Sequence, residues 1–255
     1  MHMMKSEPSH ELLEKVVTIA EAKLRLPLHE RNGLNQWGVF CNRKHRLFGT
    51  LLYVAGGQFN TKLDFIRKRD GSIHVNKYIP GDWELALENT YNYAKYIIES
   101  RIDEREKVEY LQSSAKAKNQ EEKQYLLEQR ASVNPAWLWY LFLAYCTAGR
   151  FKDAELTLIK FVEKWPIFYT HNIAGNVYLN ALARSTGVKL PPQLAIEEWG
   201  NWSLQDLGYT YDYTLGLARR HIQESQRLLP QKNPEMQSIL HAALTELSAL
   251  EKQHS

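Results

Sequence analysis

Apolar residues recur at helical spacing over most of the chain, and the longest coherent block runs from Asn134 to Pro166. Its first half is apolar nearly all round from Trp137 to Tyr145, the pattern of a helix buried on most sides. Asn134 stands where a cap is wanted. Pro135 takes the first helical position, where a missing N–H does no harm. Ala148-Gly149-Arg150 interrupts the pattern, and Gly149 suits a left-handed C-cap. Ala154, Leu158 and Phe161, flanked by Leu156, Ile159 and Val162, then predict a second, amphipathic helix that stops at Trp165-Pro166.

Leu13, Val17, Ala20 and Leu24 predict a helix over 11–26, ended by Pro27 and Asn32-Gly33. Trp37, Phe40, Cys41, Lys44, Phe48, Leu51, Leu52 and Ala55 fall on one face of a second helix over 36–55, although Gly38 and Gly49 interrupt it. One strand-like region follows: 63–67 and 73–77 flank Arg69-Asp70-Gly71-Ser72, and Asp-Gly is a strong hairpin signal. A long helix, capped by Asp82 and opened by Trp83, extends to Leu111. Residues 112–121 are polar and read as a linker, with a short helix over 120–131 leading to Asn134. Beyond Pro166, helices are predicted over 172–185, up to Trp199, over 214–229 and from Pro234 onward, with a broken aromatic stretch over 200–213. The fold class is therefore mostly α, an irregular stack of antiparallel helix pairs with one small β-hairpin. It divides into an N-terminal region, 1–112, and a helix-pair region, 120–255, packed as one compact unit.

With 44% hydrophobic residues the chain has the balance of a soluble globular protein. Two cysteines, Cys41 and Cys146, cannot build a disulfide framework, which fits a reducing compartment. No run approaches the roughly 20 apolar residues of a membrane span, and the opening residues lack the apolar core of a signal peptide. A cytoplasmic protein with no membrane partner is the expectation. The net charge of +3 is unevenly placed, with 13 basic against 8 acidic residues over 1–82. That excess is too small to point to nucleic acid.

Enzyme motifs are missing. There is no Gly-x-Ser-x-Gly, no phosphate-binding glycine loop and no His-Glu-x-x-His, and the two cysteines are not spaced for zinc. His221 and Glu224 stand in the reverse order of a di-metal motif, and His171 sits at a predicted helix start, where capping is its ordinary role. The expectation is no catalytic residue, no metal and no cofactor. Two surface constellations remain. One is the basic turn Arg67, Lys68, Arg69, suited to steering an acidic partner. The other is an aromatic–acidic stretch with Trp199, Trp202, Tyr209, Tyr211, Asp212 and Tyr213, suited to protein recognition because Trp and Tyr give large contact areas at small entropic cost.

The spacing Leu141, Tyr145, Gly149, Phe151, Ala154, Leu158, Pro166 resembles one tetratricopeptide unit, a 34-residue helix–turn–helix repeat. Leu138 replaces the usual Trp, and Phe142 and Phe161 replace small residues. Trp202, Tyr209, Ala218 and Pro230 echo the pattern 64 residues on, which is not a multiple of 34, hence an irregular stack. The resemblance assigns Ala136, Trp139, Leu143, Cys146 and Thr147 to the concave face. Those positions are mostly apolar, which argues against an open peptide groove there. The order of helices, a hairpin over 65–75, then Gly81-Asp82-Trp83 and Ala86 leading a helix, resembles the helical immunity proteins of bacterial polymorphic toxin systems, of the immunity protein 49 type. That resemblance implies a non-enzymatic protein that binds and neutralises a cognate toxin, with another protein as partner and a homo-oligomer left open. A general helical-repeat adaptor is the alternative. A nucleic-acid-binding or enzymatic helical protein stands behind it.

Overall fold

The structure is a computed structural model that describes the backbone of residues 39–45, 49–56, 61–67 and 73–79. It also describes residues 98–194, 201–229 and 234–254, with a few isolated positions before 98. The chain forms two units, residues 1–98 with 228–234 and residues 99–227 with 235–255.

In the first unit, Val39–His45 (β1), Gly49–Gly56 (β2), Thr61–Arg67 (β3) and Ile73–Ile79 (β4) form an antiparallel meander in the order β1-β2-β3-β4. The register runs Val39↔Val54, Leu52↔Phe65 and Lys62↔Ile79, with irregularities between Asn42 and His45 and between Asp64 and Phe65. One expectation is corrected here: residues 39–45 and 49–55, expected as part of a helix over 36–55, are strands. The segments expected as a hairpin, 63–67 and 73–77, fall in the neighbouring antiparallel strands β3 and β4, within a sheet of four strands. A short continuous apolar run such as Leu51–Ala55 satisfies either period. The flanking Gly38, Gly49 and Gly56, with the aromatic and β-branched content between them, are what favour strands. In the turn between β3 and β4, Asp70 Oδ1 accepts from Ser72 N at 2.9 Å and from Ser72 Oγ at 2.6 Å, a side-chain mimic of a backbone turn. Glu11, Glu14, Lys15 and Thr18 are helical, with Lys15 Nζ 2.6 Å from Glu11 Oε1; the rest of the predicted 11–26 helix lies outside the described residues.

The described residues of the second unit are mostly helical. Its elements are Glu104–Lys116 (α1), Gln120–Val133 (α2), Leu138–Thr147 (α3), Phe151–Lys164 (α4), Phe168–Thr186 (α5), Leu204–Leu207 (α6), Tyr211–Leu228 (α7) and Pro234–His254 (α8). The long helix expected over 82–111 is interrupted. Ser100 is a turn, residues 101–103 are not helical, and Asp103 caps α1 through Arg105 N at 2.7 Å. A competent cap outweighs the continuous apolar pattern there. The linker expected over 112–121 shrinks to 117–119, where Asn119 Oδ1 caps α2 through Glu122 N at 2.9 Å.

Asn134 Oδ1 accepts from Ala136 N at 3.0 Å and starts a short 3-10 turn, Pro135–Trp137, that runs into α3. Glu106 of α1 ties this corner down, accepting from Trp137 Nε1 at 2.5 Å and Asn134 Nδ2 at 3.0 Å. Gly149 has φ +69°, which turns the chain back so that α4 lies along α3. Arg150 N bonds Tyr145 O at 2.9 Å across that turn, satisfying a carbonyl at the helix end. Among the described residues helix α5 is the most enclosed element, with 13 buried residues out of 19, and α4, α6 and α7 pack against it. The deepest large side chains are Trp137, Phe142, Leu158, Trp165, Tyr178 and Trp202.

Candidate functional site

The aromatic–acidic stretch divides between core and surface. Trp202 is 1% exposed, its ring stacked on Phe142 at 6.2 Å and tilted against Phe151 at 5.1 Å. Its indole fills the base of the α3–α4 hairpin and is not presented to a partner, a correction to its reading as a contact residue. Tyr211 is half-buried and donates to Leu250 O on α8 at 3.3 Å. Tyr209 is half-buried, with Lys152 Nζ 3.9 Å from its ring centroid. Asp212 and Tyr213 are exposed, and the Tyr213 ring lies 4.8 Å from that of Tyr209. Trp199, Lys68 and Arg69 lie outside the described residues, and Arg67 is described only as the end of β3, paired with Thr50 and Ile73.

Behind Tyr209 lies a polar cluster that sequence reading missed. Glu155 of α4 is fully buried. Its Oε1 accepts from Tyr178 Oη of α5 at 3.0 Å, and its Oε2 from Lys152 Nζ at 2.8 Å and Tyr209 Oη at 3.2 Å. Lys152 also donates to Leu207 O at 3.1 Å, so the cluster holds α4, α5 and α6 together. Burial, reinforced by the Glu155 carboxylate, drives the Tyr178 hydroxyl far above its ordinary range. The Tyr178 ring stacks on His221 of α7 at 5.8 Å, and His221 Nδ1 faces His171 Nδ1 of α5 at 3.0 Å. Burial lowers both imidazoles to about 4, His221 further through His171. The pair is therefore neutral at pH 7, one Nδ1–H donating to the other nitrogen. Fifty positions separate the two residues, and nothing local in the sequence announces their meeting. No group of three or more metal-ligating side chains occurs among the described residues.

The second unit also carries an open groove of about 550 Å³. Leu138, Leu141 and Tyr145 of α3 form its floor. Glu128 and Ala131 of α2 make one wall. Leu156, Lys160 and Lys164 of α4 make the other, recurring one turn apart along a single face. At about 100° per residue the floor lies on the side of α3 away from Trp139, Leu143 and Thr147. Tyr145 Oη donates to Glu128 Oε1 at 2.5 Å; burial and that carboxylate raise the phenol well above its ordinary range. Arg150 lies over the Tyr145 ring at 4.6 Å and pairs with Asp153 at 2.8 Å and Glu128 at 3.9 Å. Leu156 is 49% exposed, a large apolar side chain held open on a concave surface.

The second unit is thus a helical scaffold with a surface groove, and no helix among the described residues is long and apolar enough to cross a membrane. No family model matches the chain, and neither a curated protein nor a solved structure matches it.

Proposed function

We propose that this chain is a non-enzymatic protein-binding protein, working by stoichiometric association in the form of an immunity protein that neutralises a cognate toxin. The groove over α3 carries this reading: a concave, helix-lined surface keeping Leu156 half-exposed suits recognition of another protein. The tetratricopeptide-like spacing over 134–166 supports a binding scaffold, and the immunity-protein resemblance supplies the toxin. Four groups of the second unit, Cys146, His171, His221 and Glu155, support the same reading by being buried or engaged with one another. Burial pushes the Cys146 thiol up to about 12, far from a thiolate nucleophile at pH 7. His171 and His221 bond to each other, and Glu155 is sealed by its three donors. The test is capture of partners by tagged protein in its native host, then titration and co-expression of each partner. A one-to-one complex that relieves the toxicity of the captured protein is the expected result. Capture of no protein, with nucleic acid or a small molecule raising the melting temperature instead, overturns the reading.

A further inference from the structure

The groove over α3 is not electrically even. At one end Glu128 and Asp153 are acidic, but Arg150 neutralises both, and Glu128 also holds the Tyr145 hydroxyl. At the other end Lys164 pairs with Glu99 at 2.9 Å. Lys160, exposed on the same wall, has no ion pair among the described residues. Among the described residues, the groove's lining thus leaves one cation without an ion pair and one large apolar side chain half-exposed, Lys160 and Leu156. They sit four residues apart on α4, a rise of about 6 Å. That spacing matches alternate side chains of an extended peptide, about 6.6 Å apart, and side chains one turn apart on a helix.

We propose that this groove receives a segment of a partner protein that sets an apolar side chain against Leu156 and a carboxylate against Lys160. The proposal rests on the protein-binding reading and adds the chemistry of the partner and the place where it sits. Leu138 and Leu141 on the floor extend the apolar footing, so the anchor side chain leaves water on several sides. The ammonium of Lys160 then fixes direction, because the compensated acidic end offers the carboxylate nothing. This surface differs from the aromatic–acidic stretch, and lies on the face of α3 opposite Trp139, Leu143 and Thr147, three of the positions that the tetratricopeptide resemblance assigns to a concave surface.

The probe is a displayed library of random 12-residue peptides, panned on the full chain and on Leu156→Asp and Lys160→Glu variants. Both residues are exposed, so the variants keep the wild-type melting temperature. Peptides enriched on the wild type are expected to share Leu, Ile, Phe or Met with Asp or Glu two or four positions away. Synthetic copies should bind either variant about tenfold more weakly or worse, and the Lys160 contribution should fade with salt. Replacing the peptide carboxylate by Lys should restore binding to Lys160→Glu. No enrichment, enriched peptides without the acid, or equal binding to wild type and both variants overturns the proposal. A native partner that binds wild type and both variants alike also overturns it while leaving the protein-binding reading intact. Failure to capture any protein removes that reading itself.

Discussion

Gly175 of α5 lies so close to Ile222 of α7 that a Cβ at position 175 would stand 2.7 Å from Ile222 Cγ1 and 3.2 Å from Ile222 N. Glycine inside a helix costs about 1 kcal/mol relative to alanine, so close approach of the two helices is what makes it the fitting residue there. Gly175→Ala should destabilise by on the order of 1 kcal/mol, as overpacking against a backbone nitrogen outweighs the gain in helix propensity. Gly216, inside α7 with open space around it, gives the opposite sign: Gly216→Ala should stabilise by roughly 0.5–1 kcal/mol. Thermal unfolding of the two variants side by side checks the contrast.

The same helix crossing carries His171 and His221. A free imidazole titrates near 6.5, and burial holds these two at about 4 in the folded chain. Between those values the unfolded chain binds protons that the folded one refuses. Their contribution is therefore complete above pH 6.5, declines as pH falls towards 4 and levels off below. Arg220 and Arg227 reinforce the lowering at His171, and Glu224 opposes it. The loss should be on the order of 3 kcal/mol for each imidazole once both are protonated. Urea midpoints at pH 7 and pH 5 should differ less in His221→Gln than in wild type; equal slopes would sink the assignment.

Glu155 offers a test of apportionment. Glu155→Leu leaves the buried Tyr178 hydroxyl without its acceptor, while Lys152, 46% exposed, turns to water. The expected cost is ~1–3 kcal/mol, carried mainly by Tyr178. Adding Tyr178→Phe removes the stranded hydroxyl, so the double variant should be more stable than Glu155→Leu alone. A double variant weaker than the single would mean that Lys152 and Tyr209, not Tyr178, carry the cluster. Chemical denaturation of the three variants decides between them.

Local signals in the sequence were sufficient where a single residue determines a backbone event. Asn134 as a cap and Gly149 as the left-handed reversal both stand in the structure as their chemistry requires. Local signals fell short where the deciding partner is far along the chain. Trp202 looks like a surface anchor beside Asp206 and Tyr213, yet Phe142 and Phe151 enclose it. Glu155 and Lys152, three positions apart on α4, carry no local mark of their role, and only Tyr178 and Tyr209, 23 and 54 positions on from Glu155, make the carboxylate a buried joint. For 39–56 the period was ambiguous, and glycine placement had to arbitrate between strand and helix. The groove was invisible for a related reason: its floor and walls come from three helices, and no one of them carries its shape.

Trp202 and Tyr213 separate fold from recognition within one stretch. Trp202→Ala removes a ring that is 1% exposed and leaves a large void, a loss of about 3–5 kcal/mol. In a chain of this length that is a fall in melting temperature of roughly 10 °C or more. Any partner affinity it loses should track the unfolded fraction and return when the measurement is made well below the melting point. Tyr213, 54% exposed at the start of α7, touches the Tyr209 ring with a side chain more than half open to solvent, so Tyr213→Ala should change stability by only about 0.5 kcal/mol. With the partner captured from the native host, Tyr213→Ala should speed dissociation while leaving association nearly unchanged, as loss of an aromatic anchor does. Real-time binding of the two variants, each with its own unfolding curve, is the measurement. Identical dissociation of wild type and Tyr213→Ala would take the aromatic–acidic stretch out of the interface and leave the groove over α3 as the contact surface.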